Sequence, residues 1–298
     1  MNSKLVSGLR SVSLNVPDLA KAEEFYTRIW HLDTVARSDD AIYLRGTGPP
    51  HHVLSFHRGE RTEIRAITLR ARTADALAAI AGAATRAGGS VVQPPGAIGE
   101  SGGGTGVTVR DPDGRVFRVV HGDAVHGDAA DARDRPIRLA HVVLNSRDVA
   151  ATQKFFEAVF GFTLSDRTRI MAFLNCDRDH HTVALADASE DSLNHIAFVM
   201  PDLESVMRGG GRMKDAGHPI EWGPGRHGPG ANAFNYFIDP FGVVIEYTSD
   251  IEQIDDTYKV GGPDDWKWPP GRVDHWGISA PPSARLKEAQ KKIQFPAF

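Results

Sequence analysis

The chain is an internal duplication, and that constrains what it can fold into more than any other feature. LRSVSLNVPDLAKAEEFY, from Leu9, lies without a gap on LAHVVLNSRDVAATQKFF, from Leu139, so Asn15 meets Asn145, Asp18 meets Asp148 and Phe25 meets Phe155 at an offset of 130. DPDGRVFRVV from Asp111 falls on DPFGVVIEYT from Asp239 at an offset of 128. Each half divides again. A strand of alternating apolar residues, a turn carrying Asp and an amphipathic helix recur in AITLRARTADALAAIAGAATRAGG and HIAFVMPDLESVMRGGGRMKDAG. Short strand-like runs follow every helix, among them AIYLRG, HHVLSFH, RIMAFLN and VVIEYT. The pattern predicts an α+β fold of four tandem βαβββ modules in two domains, residues 1–121 and 137–250. Residues 122–136, rich in Gly, Asp and Ala and without periodicity, read as a linker, and 251–298 as an unrepeated tail.

Composition removes several classes of function. The formal net charge of -4 and the scattering of 34 basic residues argue against nucleic acid and anionic membranes as partners. No apolar run approaches the ~20 residues of a bilayer span. Cys176 is the single cysteine, which excludes an intrachain disulfide framework, and MNSKLVSGLRSV lacks the charged and apolar regions of a secretory signal, so the expected compartment is the cytoplasm. The expected assembly is a homo-oligomer.

Duplication also separates packing from chemistry, because a residue kept for packing should often have an equivalent in the sister half. His141 lies opposite Ser11, His195 opposite Ala66 and Glu246 opposite Arg118, so these three polar groups occur only in the second half. Each stands in an apolar strand (AHVVL, NHIAF, VVIEY), where an imidazole or carboxylate costs several kcal/mol unless compensated. A lone strand histidine is ordinarily a hydrogen-bonded core residue, and Glu246 alone could be a paired structural acid. At equivalent first-strand positions of modules three and four, with a carboxylate near the last strand's end, the histidines read as metal ligands. Two imidazoles and one carboxylate form the facial triad of non-heme Fe(II) oxygenases, with Mn(II) as the alternative ion. The other histidines, His51, His52, His57, His121 and His126, have no carboxylate at a matching strand end and read as solvated or loop residues. GPGRHGPG lacks both phosphate-loop spacings.

The stretch GRHGPGANAFNYFIDPFGVVIEY, Gly225 to Tyr247, resembles the signature of type I extradiol catechol dioxygenases of the vicinal oxygen chelate superfamily. His227, Tyr236, Asp239, Pro240, Gly242 and Glu246 match that signature in order, and Asn235 departs from it where an apolar residue is usual. RDHHTVAL, residues 178–185, resembles the segment that carries the family's acid–base histidine and matches it with His181. The resemblance covers residues 8–250, closely in the second half and architecturally in the first.

It implies two open β-barrels of paired modules with the metal in the C-terminal one, and cleavage of a catechol-type diol by O2 beside the diol to a semialdehyde. His181 would be the acid–base group, a role suited to an imidazole, with His180 on the opposite face of the same strand. Tyr236 would hydrogen-bond a substrate or intermediate oxygen, and His227 would orient the diol. Where a branch of the family that takes acidic side chains has Arg, this chain has Trp222, which favours an apolar or bicyclic diol. The same fold serves metal isomerases and thiol transferases of the glyoxalase and fosfomycin-resistance kinds, and metal-free ligand-binding proteins; these are the alternatives. In the tail, Trp266, Trp268 and Trp276 stand beside prolines and are expected to form a lid over the second barrel, with packing against a neighbouring subunit as the alternative.

Overall fold

The computed structural model describes residues 4–127, 132 and 134–296. The first half runs β1 (Val6–Val16), α1 (Leu19–Arg28), β2 (Asp33–Arg37), β3 (Ala41–Arg45), β4 (Leu54–Arg58), then β5 (Glu63–Ala71), α2 (Asp75–Arg86), β6 (Ser90–Ala97), β7 (Thr105–Arg110) and β8 (Val116–His121). The second repeats the order with β9 (Arg138–Ser146), α3 (Val149–Phe160), β10 (Thr163–Arg167), β11 (Met171–Asn175), β12 (Val183–Asp187), β13 (Ser192–Val199), α4 (Leu203–Asp215), β14 (Trp222–Arg226), β15 (Ala233–Ile238) and β16 (Val244–Ser249). Three helices start where the turn aspartates put them, with Asp18, Asp148 and Asp202 side chains accepting from the backbone N–H groups of Lys21, Ala151 and Ser205.

Each half is one sheet, ordered β2-β3-β4-β1-β5-β8-β7-β6 and β10-β11-β12-β9-β13-β16-β15-β14. The first strands of paired modules meet antiparallel at the centre, and each lies parallel to its own module's last strand. The duplication extends to register. Ser13 pairs with Ala66 as Val143 pairs with His195, and Thr68 with Arg118 as Ala197 with Glu246. Strands β9, β11, β12, β13, β14 and β15 all line one cavity, so the second sheet curls around it.

Alternation of apolar residues turns one face of each sheet onto the helices, and a single buried cluster runs through both halves. Trp30 stacks on Tyr247 with ring centroids 3.6 Å apart. The Tyr26 hydroxyl donates to Asp239 at 2.9 Å, which ties the DPFG turn to α1. No helix among the described residues is long and apolar enough to cross a membrane.

Three expectations change. The linker is pinned at both ends: Asp123 is buried and accepts from Arg10 at 3.1 Å and Arg70 at 2.6 Å, while Thr47 and Gly48 donate to the Pro136 and Ile137 carbonyls. Composition marks the segment as polar and cannot show that one of its acids faces two arginines; its residues 128–131 and 133 lie outside the described residues. His52, expected in a solvated loop, is fully buried and bonded to Arg10. The tail is part of the fold, since β17 (Ile293–Gln294) pairs with β13 and α5 (Ala284–Ala289) buries Leu286 and Ala289 in a small cluster with Phe234, Tyr236 and Val244.

Candidate metal centre

His141 on β9, His195 on β13 and Glu246 on β16 come from three adjacent strands and are all buried. Neighbouring strands run about 4.8 Å apart, so side chains at matched heights on one face converge. His141 Nε2 and His195 Nε2 each lie 3.2 Å from Glu246 Oε2 and 3.4 Å from one another. His195 donates from Nδ1 to Asn194 Oδ1 at 2.9 Å, which leaves its Nε2 as a bare lone pair aimed at the triangle. Burial pushes the Glu246 carboxyl up, but the neighbouring imidazoles of His141, His195 and His227 outweigh it and hold the group well below the usual range, as an anion. Burial lowers His195 to about 4 against the opposing pull of Glu246.

This donor set suits a divalent cation: an anionic oxygen and two imidazole nitrogens facing one point, with edges close to the ~3 Å of an octahedral face whose bonds are about 2.1 Å. The sister half cannot do this. Arg118 and Glu100 form an ion pair there, and Arg10 adds a second guanidinium beside them.

The residues expected around the triad are brought to it. The Tyr236 hydroxyl is 3.0 Å from His227 Nε2 and 3.4 Å from His195 Nε2, and His227 Nε2 is 3.6 Å from Glu246 Oε1. Tyr236 is the cross-strand partner of Glu246, which places both on one face. The His181 ring centroid lies 4.4 Å from that of His141, and the ring is buried. Burial lowers its pKa well below the ordinary imidazole value, helped by His141, His180 and His227.

His180 is not on the opposite face from His181. Both precede β12, in the connection from β11, and their Nδ1 atoms are 3.1 Å apart. Strand alternation does not apply to a connection. The departure Asn235 is buried and donates to the Val206 carbonyl at 3.3 Å, close under Gly210 of α4. Sequence reasoning missed Asn232, which donates to Thr248 and Glu246, and the amides behind His195. There Asn194 donates to Asn145 at 2.8 Å and accepts from Gln290 of the tail at 2.9 Å. Asn194 stands opposite Arg65 in the duplicate, so the test that found the ligands could have found it.

The centre opens into a cavity of about 740 Å³ whose wall includes the aromatic rings of Phe173, Trp222 and, from the tail, Trp266 and Trp268, together with the charged Arg169, Lys287 and Lys291. Trp268 packs so closely on Gly228 that a Cβ there would come within 2.4 Å of its ring.

Comparisons with known proteins agree with this architecture. Metapyrocatechase 2 of Cupriavidus necator is 29% identical over 93% of this chain and 90% of its own length. The manganese-dependent 2,3-dihydroxybiphenyl 1,2-dioxygenase of Geobacillus genomosp. 3 is 25% identical over 77% of this chain and 80% of its own. Among solved structures, the Mn(II)-bound glyoxalase from Novosphingobium aromaticivorans superposes with a TM-score of 0.88 at 33% identity, covering 99% of this chain and 95% of its own. The model of the glyoxalase/bleomycin resistance protein/dioxygenase superfamily matches twice, over residues 8–119 and 138–247. With a family match over both halves of the duplication, the chain belongs to the glyoxalase/bleomycin resistance protein/dioxygenase superfamily.

Proposed function

We propose that the chain is a metal-dependent extradiol dioxygenase, with residues 1–121 as a metal-free domain, 122–136 as the linker, 137–250 as the catalytic domain and 251–298 as a lid. The observation that carries this reading is the convergence of one carboxylate and two imidazoles at the end of that cavity, flanked by His181, Tyr236 and His227. His141, His195 and Glu246 would hold Fe(II) or Mn(II), which when bound supplies a site where an aromatic vicinal diol and O2 exchange electrons. The Tyr236 hydroxyl and His227 Nε2, 3.0 Å apart, offer the diol oxygens a donor and an acceptor. His181, whose ring packs against His141 and lines the cavity, is placed to take the proton a diol loses on binding and to return it as the ring opens.

The cavity is large for a single ring and lies in the upper part of the ~300–1,000 Å³ range of ligand pockets. Trp222 stacks on Tyr236 with centroids 5.1 Å apart and makes that part of the wall aromatic, while Arg169, Lys287 and Lys291 also line the cavity. The cavity's volume and its aromatic wall favour a bicyclic or apolar-substituted catechol. A glyoxalase-type isomerase uses a carboxylate-rich site; this one has a single carboxylate and a histidine and phenol beside it. Anaerobic loading with Fe(II) or Mn(II), followed by a panel of catechols, is expected to give a yellow ring-opened product with one O2 consumed per diol, fastest with a two-ring diol. Isomerisation of a thiol adduct without O2 uptake would reverse the assignment.

Because the tail contributes β17 and α5 to the fold, deleting it would test packing as well as covering. The double variant Trp266→Ala, Trp268→Ala leaves both elements in place. It is expected to raise KM by roughly 10-fold, or to consume O2 without product, at unchanged metal content, as expected for losing a cover that keeps water out. Unchanged kinetics would remove the lid role.

A further inference from the structure

Behind His181 lies a buried chain of polar groups that the proposed reaction does not use. Asp166, on β10, is fully buried and accepts three bonds: the Gly261 N–H on Oδ1 at 2.6 Å, and the Tyr258 hydroxyl at 3.0 Å and His180 Nε2 at 2.8 Å on Oδ2. His180, also fully buried, meets His181 through Nδ1 at 3.1 Å. The backbone of Gly230, at φ +79°, closes over this contact, and a Cβ there would lie 3.0 to 3.2 Å from atoms of both rings. His181 spends Nδ1 on His180 and lines the cavity, which leaves Nε2 for the substrate.

The direction of this chain follows from its end. A carboxylate only accepts, so His180 donates from Nε2; with His180 as the neutral imidazole, its Nδ1 accepts from His181 Nδ1–H. His181 Nε2 is thereby left without a proton.

We propose that Asp166 and His180 are positioning residues that fix the proton of His181 on Nδ1 and present its Nε2 to the cavity as an acceptor, with the tail holding the carboxylate through Tyr258 and Gly261. A second observation points the same way. The histidine pair is duplicated: His51 and His52 occupy the same place before β4, where Leu54 pairs with Val12 as Val183 pairs with Val142, and their Nδ1 atoms are 3.0 Å apart. The carboxylate is not duplicated. The position of Asp166, paired with Phe173, is held in the first half by Ala36, paired with Tyr43. The two rings recur in both halves, and the group that orients them occurs only in the half with the metal-binding residues.

The catalytic consequence rests on His181 as the acid–base residue, whereas the tautomers do not, so the two are read separately. Long-range ¹H–¹⁵N correlation spectra of the metal-free protein labelled in its histidine rings should show His181 as the Nδ1–H tautomer and His180 as Nε2–H. Asp166→Asn offers an amide N–H where Oδ2 was and should reverse both. Asp166→Ala, which copies the sister half, should give a mixture of forms. In metal-loaded enzyme, kcat should fall roughly 10- to 100-fold in Asp166→Asn at unchanged KM and metal content, the range usual for groups that orient a working histidine. An Nε2–H tautomer of His181 in the native protein, or native tautomers in both variants, overturns the proposal. Reversed tautomers with a native kcat would instead overturn the acid–base role of His181.

Discussion

Glu246→Ala is expected to remove the bound metal, from about one ion per chain to none, and with it all turnover above background. The carboxylate is the only anion of the triangle, and His141 and His195 are left facing each other across 3.4 Å with no charge to attract a cation. His195→Ala should do the same for another reason, since it removes the one nitrogen whose lone pair is already directed inward by Asn194. The control comes from the duplicate. Arg118→Ala changes the equivalent position of the first half, where an ion pair with Glu100 replaces any centre, and should leave metal content untouched. Metal analysis of the purified variants, with far-ultraviolet circular dichroism to show that each folds, is the measurement. Full metal content in His195→Ala would sink the assignment of the centre.

The three proposed ligands were legible because the duplication subtracts the fold from the function. Strand, turn and helix recur at fixed offsets, so the polar groups that do not recur stand out, and the register pairs His195 with Val143 where Ala66 pairs with Ser13. The same subtraction misleads where a residue recurs for different ends. His52 and His181 are equivalents, one bonded to Arg10 and the other at the edge of the cavity, and no comparison of the two sequences tells them apart. What could not be read at all came from contacts distant in sequence. Asp166 sits in TLSDR, on the edge strand β10, and is buried by Tyr258 and Gly261, more than 90 residues later, in a segment with no periodicity. Asp123 is buried for the same kind of reason. Periodicity reports which face of an element is covered, and does not report which loop covers it.

His181→Asn should separate binding from proton transfer. The ring lies against His141 and supplies no atom to the triangle of donors, so the variant should load metal and bind the diol as the native protein does. Asparagine keeps a polar group of similar reach and removes, among the described residues, the only imidazole in the cavity wall outside the proposed ligands and the His227–Tyr236 pair. kcat should then fall by the ~10²- to 10⁴-fold typical of losing a positioned acid or base, with KM little changed. His180→Asn is the informative companion. Were the two side chains on opposite faces of a strand it should have no effect; since they share a hydrogen bond in a buried connection, it should cost less than His181→Asn but more than a surface change. Single-turnover rates and product identity for both variants, each at measured metal content, decide the matter. A native rate in His181→Asn, or a larger loss in His180→Asn, would move the proton transfer to another residue.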